Sequence, residues 1–347
     1  MDKKLVSTKQ SAKVALNKSK SLFDLTNNLL DNKYSGHKFQ FYLPIESNLT
    51  KNQRIAIDCQ APISIFIYDI FAKKMVLNCF IKRQQNLMIS NKKCLFVTES
   101  ELLSFVIKEK LEDSQSVICN LEKTRKKINS ETYDEILVYD KYDIETLLYL
   151  KERCLSLSFL VFDKEYLNYF PDNQVFTFDE IFLPSYEIFN LARQFTPNNS
   201  MFNDSKLLEN LKKRNSGADK LICFEVSSFN QEIEIMKDTI DVNPTCNIGI
   251  ILPYTNDEKN HNLSVEKYYN AISKEYSCSK YYEGIKLKKL HNIVITTYDD
   301  AKFIDFDIII LPKFDKVKKI VYNETIFSTI CSAENELHIF QETCDKL

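Results

Sequence analysis

Residues 295–312 read ITTYDDAKFIDFDIIILP. The run NIVITTY (292–298) leads into this stretch and FDIIILP (306–312) closes it. Neither run alternates apolar with polar residues. Each is apolar nearly throughout, as a strand must be when both faces of its sheet are covered. Both are far shorter than the roughly 18 apolar residues of a membrane span. Two such strands joined through a short polar connection predict a parallel sheet with crossover helices.

The same alternation extends outward in both directions. Upstream lie ISIFIY (63–68), CLFVT (94–98), SVIC (116–119), EILVYD (135–140), SFLVF (158–162) and QVFTF (174–178). Helical periodicity fits KKMVLNCFIKRQQNLMI (73–89) and ESELLSFVIKEKLE (99–112), the latter starting at Glu99 or Ser100. The polar stretch TPNNSMFNDSK (196–206) interrupts the pattern and reads as a boundary. Beyond it come LICFEV (221–226), the helix FNQEIEIMKDTI (229–240), NIGIILPY (247–254), a helix near 264–274, and LHIF (337–340). The chain therefore divides into a leader, residues 1–48, a first α/β lobe, 49–195, and a second, 196–347. The leader is lysine-rich, with Leu5, Val14, Leu16 and Phe23 spaced for one helix face. It reads as a solvated docking helix or as a basic arm for nucleic acid.

Composition narrows the function. The 347 residues suit two domains of ordinary size, and 44% are apolar. A net charge of −2 gives no global attraction to nucleic acid or to a membrane. The ten cysteines include no C-x-x-C pair and mostly sit in apolar runs. They read as buried free thiols of a reducing compartment, and no metal site is expected. With no secretory signal visible, the expected location is cytoplasmic. Most telling are the glycines. There are four, where average usage would give about 24. Phosphate-cradling loops need glycine, because the backbone must approach the phosphate through conformations other residues resist. Gly36, Gly217, Gly249 and Gly284 all lie outside a strand–turn–helix context.

The order of segments resembles the motor core of UvrD/Rep-like superfamily 1 helicases across residues 49–340. LTKNQRIAID (49–58) resembles the opening helix, with Gln53 at the adenine-holding glutamine. SIFIYDIFAKKMVL (64–77) falls at the phosphate loop, and CLFVTESELLSFVIKEKL (94–111) places Thr98 at a nucleic-acid backbone contact. YDEILVYDKYD (133–143) matches the metal-binding acidic pair, SFLVFDKEYLNYF (158–170) the phosphate sensor, and IFLPSYEIFNLARQF (181–195) the segment opening the second lobe. The opening stretch, with Thr297, and IFSTICSAENELHIF (326–340) resemble the last two motifs. The resemblance implies two RecA-like (P-loop NTPase-type) parallel-sheet lobes. The spacing leaves no room for strand-splitting accessory domains.

Position by position, however, the chemistry is missing. A phosphate loop needs G-x-x-x-x-G-K-[ST]. Here Tyr68, Phe71 and Lys73 stand at glycine positions, Lys74 fits the lysine, and Met75 replaces the hydroxyl. The metal-binding aspartate becomes Tyr139, and its acidic neighbour is shortened to Asp140. The sensing glutamine becomes Tyr166, and the two charge-stabilising arginines become Leu183 and Ser332. Lys302 persists, but the glycine after it is Phe303. Losing one such arginine costs a factor of about 10³–10⁵ in rate. The resemblance implies nucleotide-pocket remnants at Gln53, Lys74, Asp140, Asp163 and Lys302, and nucleic-acid contacts at Thr98 and Thr297. The plainer reading makes Gln53 a helix-start residue, the lysines solvated and the aspartates caps. Tyr and Phe at the glycine positions then fill the old pocket or, alternatively, offer a base-stacking surface.

The expectation is a pseudohelicase without catalytic residues, metal or cofactor, binding a protein partner or single-stranded nucleic acid. The alternative is a divergent ATP-dependent DNA helicase with residual nucleotide binding, in which case ATP and magnesium return. A third reading makes the chain an unrelated α/β protein with a coincidental segment order.

Overall fold

The computed structural model describes residues 36–40, 49–67, 72–111, 116–119, 121, 128–161, 163–178, 185–195, 220–253, 264–282, 285–301, 304–317 and 321–342. In chain order, the first lobe is built from α1 (Lys51–Asp58), β1 (Ile63–Ile67), α2 (Ala72–Ile89), β2 (Cys94–Thr98) and α3 (Glu101–Leu111), followed by β3 (Val117–Cys119), β4 (Tyr133–Val138), α4 (Ile144–Lys151), β5 (Cys154–Val161) and β6 (Gln174–Phe178). Then come α5 (Tyr186–Ala192), β7 (Lys220–Val226), α6 (Phe229–Val242), β8 (Ile248–Leu252), α7 (Val265–Ile272), β9 (Ser279–Lys280), β10 (Ile293–Thr297), α8 (Tyr298–Ala301), β11 (Phe306–Leu311), α9 (Phe314–Val317), α10 (Asn323–Cys331) and β12 (Ala333–Glu342).

The strands form two six-stranded sheets, ordered β3-β2-β4-β5-β1-β6 and β7-β12-β11-β8-β10-β9. Their pairings are parallel, with Ile65, for instance, opposite Leu160 on one side and Phe176 on the other. Two α/β lobes on parallel sheets are what the sequence predicts. Neither order is the 3-2-1-4-5-6 or 2-1-3-4-5 of common doubly wound sheets. In the first lobe, β5 separates β1, the strand entering the phosphate-loop position, from β4, the strand that leads to Tyr139 and Asp140. The central strands β2, β8 and β10 are buried at every position, the consequence of helices covering both faces.

Local chemistry sets the helix starts. Ser100, Asp143, Ser185, Ser228 and Ser264 each accept a backbone N–H three residues on. Thr50 and Gln53 form a reciprocal capping box. Gly249 lies under Phe306, where a Cβ would come within 2.9 Å of the ring, so only glycine fits. The described cysteines are free thiols, but Cys223 is exposed and several others are half-buried, unlike the buried set expected. No helix of the described residues is long and apolar enough to cross a membrane.

After β6, the segment at 186–195 packs on the second lobe: α5 meets α10 through Phe189 and Phe327, with ring centroids 6.4 Å apart, and Phe195 meets Phe314 at 5.7 Å. Two features join the lobes. First, residues 36–40 form a strap on the second lobe. The Asn292 backbone N–H donates to His37 O (2.8 Å), Phe39 N donates to Leu290 O (3.2 Å), and Phe39 packs edge-on against Phe306. Lys38 then reaches Glu109 of α3 in the first lobe at 3.4 Å. Second, a single buried apolar cluster runs through both lobes. It includes Phe96, Leu102, Leu103, Val106 and Tyr139 from the first and Tyr281, Leu290, Val294, Tyr298, Ala301 and Ile304 from the second.

Candidate nucleotide cleft between the lobes

In open α/β sheets, ligands bind outside the carboxyl ends of the strands. Thr98 ends β2, Asp140 follows β4, and Asp163 follows β5, so the fold places all three along that edge. Thr98 and Asp140 come into direct contact. The buried Thr98 hydroxyl donates to Asp140 Oδ2 at 2.7 Å, and Glu99 N donates to the same oxygen at 2.7 Å. Thr98 Oγ1 also accepts from Ser100 N. Asp163 lies apart from this pair and accepts from Glu165 N at 2.9 Å, capping a 3-10 turn at Lys164–Tyr169.

Gln53 is buried, and its side chain is committed locally. Its Oε1 accepts from Thr50 N at 3.2 Å, and its Nε2 donates to Met75 Sδ at 3.1 Å. Met75 thus receives the amide that the resemblance implied would hold adenine. Thr297 is buried, and its hydroxyl donates to Asp300 Oδ2 at 2.6 Å and accepts from Asp300 N. Ser332 is buried, and its hydroxyl donates to Ser328 O at 2.9 Å. Lys74 lies in the first turn of α2, with its side chain outside the described residues. Tyr68, Phe71, Leu183, Lys302 and Phe303 also lie outside them, as does the leader's predicted helix.

Tyr139 and Tyr166, two of the positions where the resemblance expects polar groups, are packing residues. Tyr139 is completely buried, with its ring 6.0 Å from that of Phe96. Burial, then the carboxylates Asp140 and Asp305, hold its phenol well above the ordinary value of 10. Tyr166 packs against the apolar cluster on the other face of the first sheet. Burial, then the nearby carboxylates Asp300 and Glu101, raise the Tyr281 phenol of the second lobe as well. Tyr142 is raised by burial, then Glu99 and Asp140, and its hydroxyl has no hydrogen-bond partner among the described residues. Carboxylates of both lobes, Asp140 with Asp305 and Glu101 with Asp300, thus act on the same buried phenols. Carboxylates repel the phosphates such a cleft would have to hold. Among the described residues, no group of three or more His, Cys, Asp and Glu side chains could hold a metal.

One polar network escaped sequence reading. Arg83 of α2, 2% exposed, pairs through two bonds with Glu135 of β4 at 2.8 and 3.1 Å. It also donates to the carbonyls of Ala56, Cys59 and Ala61 at the end of α1. Ser158 of β5 donates to Glu135 and accepts from Ile63 N. The signal was available. Arg83 continues the buried stripe of Val76 and Phe80, and Glu135 interrupts a strand that should be apolar. Paired charges are how such residues become buried.

No family model matches the chain, and no curated relative does. Among solved structures, the chain is similar to the Hef helicase domain of Pyrococcus furiosus: 8% identity, 84% of this chain, 95% of that one, TM-score 0.32. It is also similar to the DEAH/RHA helicase HrpB of Escherichia coli, at 8% identity, 83% of this chain, 41% of that one and TM-score 0.37. With TM-scores this low, the architecture rests on strand order and pairing rather than on these superpositions. What fold and cleft define together is a two-lobed parallel α/β protein with a packed inter-lobe seam.

Proposed function

We propose that this chain is a non-hydrolysing relative of UvrD-like helicases that serves as a binding scaffold, with a protein as its partner. The observation that carries this reading is the contiguous apolar cluster running through both lobes, with fully buried Tyr139 where a metal ligand would stand. Separate domains of one chain move by default unless their interface is large and hydrophobic. A motor must open and close that seam, whereas a scaffold benefits from keeping it shut. The glycine-poor phosphate-loop position, the internally satisfied Gln53, Thr98 and Asp140, and the carboxylates of both lobes support the same reading. Protein rather than nucleic acid is favoured by the near-neutral net charge and by those carboxylates. No cofactor belongs to this reading, and its location is cytoplasmic.

The alternative, a divergent ATP-dependent DNA helicase, draws support from the place of Lys74 in the first turn of the helix that follows β1. Phosphate release in the presence of magnesium and excess single-stranded DNA separates the two. Release should not exceed background, and Lys74→Ala should leave it unchanged. Turnover abolished by Lys74→Ala would overturn the scaffold reading. A labelled-oligonucleotide titration at low salt should show no saturable binding. Saturable binding that falls steeply with salt would replace the protein partner with a nucleic acid.

A further inference from the structure

In the first lobe, α1, α2 and the end of α3 enclose an open groove of about 570 Å³. That volume lies within the usual range of binding clefts. Its floor is aliphatic: Leu49, Ile57 and Leu111 are buried, with Met88 half-buried beside them. Ile89 at its rim is 80% exposed, an unusual place for a large aliphatic side chain at the end of a helix. The lining contains no aromatic residue.

The charged rim is one-sided. Arg54, Lys82 and Lys110 line the groove against a single carboxylate, Asp58. Arg54 Nε donates to Thr50 O, just ahead of its own helix, at 3.5 Å. Glu109, next to Lys110, is engaged by Lys38 of the strap. The groove therefore carries local positive charge on a chain whose net charge is −2.

From these features we infer that the groove is a docking site for an acidic amphipathic helix of a protein partner. This deepens the scaffold reading and rests on it. A helix lays aliphatic anchors at i, i+3 or i+4, and i+7 into such a floor. Its flanking Asp and Glu side chains meet Arg54, Lys82 and Lys110, which supply steering and register. Bases would need stacking surfaces, and the aliphatic lining offers none. The lysine-rich leader is repelled by the same three cations, so this chain's own N-terminus does not fit as the occupant.

The test is selection from a displayed library of random peptides of about 16 residues, long enough for roughly four helical turns, against the full chain. Enriched peptides should carry aliphatic residues at helical spacing with Asp or Glu between them. The double variant Lys82→Glu/Lys110→Glu, with an unchanged thermal midpoint, should bind the enriched peptides at least about tenfold more weakly, a difference of about 1.4 kcal/mol. Ile89→Asp should weaken them as well. An absence of enrichment over the charge-reversed chain, a basic or aromatic consensus, displacement by oligo(dT), or self-association of the chain abolished by Ile89→Asp would each overturn the assignment. Phosphate release is read separately. ATP turnover removes the scaffold reading itself, whereas failed peptide selection without turnover removes only the groove.

Discussion

The two edges of these parallel sheets are built differently. At the amino edge of the first sheet, Arg83 ties the end of α1 to β4, and Ser158 ties β5 to β1 through Glu135. At the amino edge of the second, Asn292 Nδ2 donates to Pro244 O and Cys246 O, and Asn247 N donates to Asp307 Oδ2 at 2.7 Å. The Asn247 side chain exchanges two bonds with the Gln40 backbone, at 2.9 and 2.6 Å. These bonds join segments distant in sequence. At the carboxyl edges, Asp163 and Thr297 bond within three residues of themselves, whereas Thr98–Asp140, Tyr268–Glu232 and Lys313–Glu342 reach further. The contrast teaches where the fold is held. The amino edges hold buried polar networks of several residues, while the edges where a ligand would bind mix local caps with single bridges.

Arg83→Met is the strongest test of this contrast. It leaves Glu135 charged and unpaired in the interior and frees the last carbonyls of α1. Breaking a buried pair this way costs about 3–5 kcal/mol, measurable by chemical denaturation. A loss under about 1 kcal/mol would place the pair outside the group of buried ion pairs whose rupture is severe.

Asn247→Ala comes next. It removes both bonds to Gln40 from a buried residue, with an expected loss of about 1–3 kcal/mol. The Phe39 amide, which donates to Leu290 O, should lose protection from hydrogen exchange with it. Unchanged protection there would detach the strap from the amino-edge network.

At the other edge, Asp140→Ala should cost less, about 1 kcal/mol, because Glu99 N–H and its neighbours remain near solvent. If its cost equals that of Arg83→Met, the difference between the edges disappears.

The smallest effect belongs to Glu232, buried in the first turn of α6 beyond the carboxyl end of β7, with Tyr268 Oη donating to it at 2.8 Å. Burial raises its pKa above the ordinary 4.5, partly offset by Tyr268 and Lys313. The folded state therefore holds this proton more tightly than the unfolded chain. The contribution is fully present below pH 4.5 and is lost as pH rises through the folded-state value. Glu232→Gln keeps an acceptor for Tyr268 and should flatten that decline. Parallel stability–pH curves for both proteins would contradict the assignment.

Much of the fold was legible because parallel strands covered on both faces announce themselves as uninterrupted apolar runs. Every such run, from ISIFIY to LHIF, contains or overlaps a strand. β12 extends further, from Ala333 to Glu342, because Glu334 and Asn335 lie exposed at a register shift against β11, ahead of the residues that pair with β7. β9 went unseen, since two residues at a sheet edge give no periodicity to read. α4 and α10 were not read as helices, although Asp143 marks the start of the first. At the cleft, the sequence placed Thr98 and Asp140 at the ends of apolar runs and Asp163 just after one. It did not reveal that Thr98 and Asp140 would satisfy each other, because that bond depends on β2 and β4 being neighbours.

By itself, the sequence determined two things: the doubled βα alternation, which apolar periodicity imposes on any chain carrying it, and the scarcity of glycine, which removes the backbone freedom a phosphate loop requires. Only the tertiary structure decided strand order, the pairing of Arg83 with Glu135, the anchoring of residues 36–40 on the second lobe, and the apolar continuity between lobes. Each of these is a contact between segments far apart in the chain, and a contact of that kind has no local pattern to carry it. Its energy comes from desolvation and from charge pairing in the assembled interior, both of which exist only once the strands have taken their places.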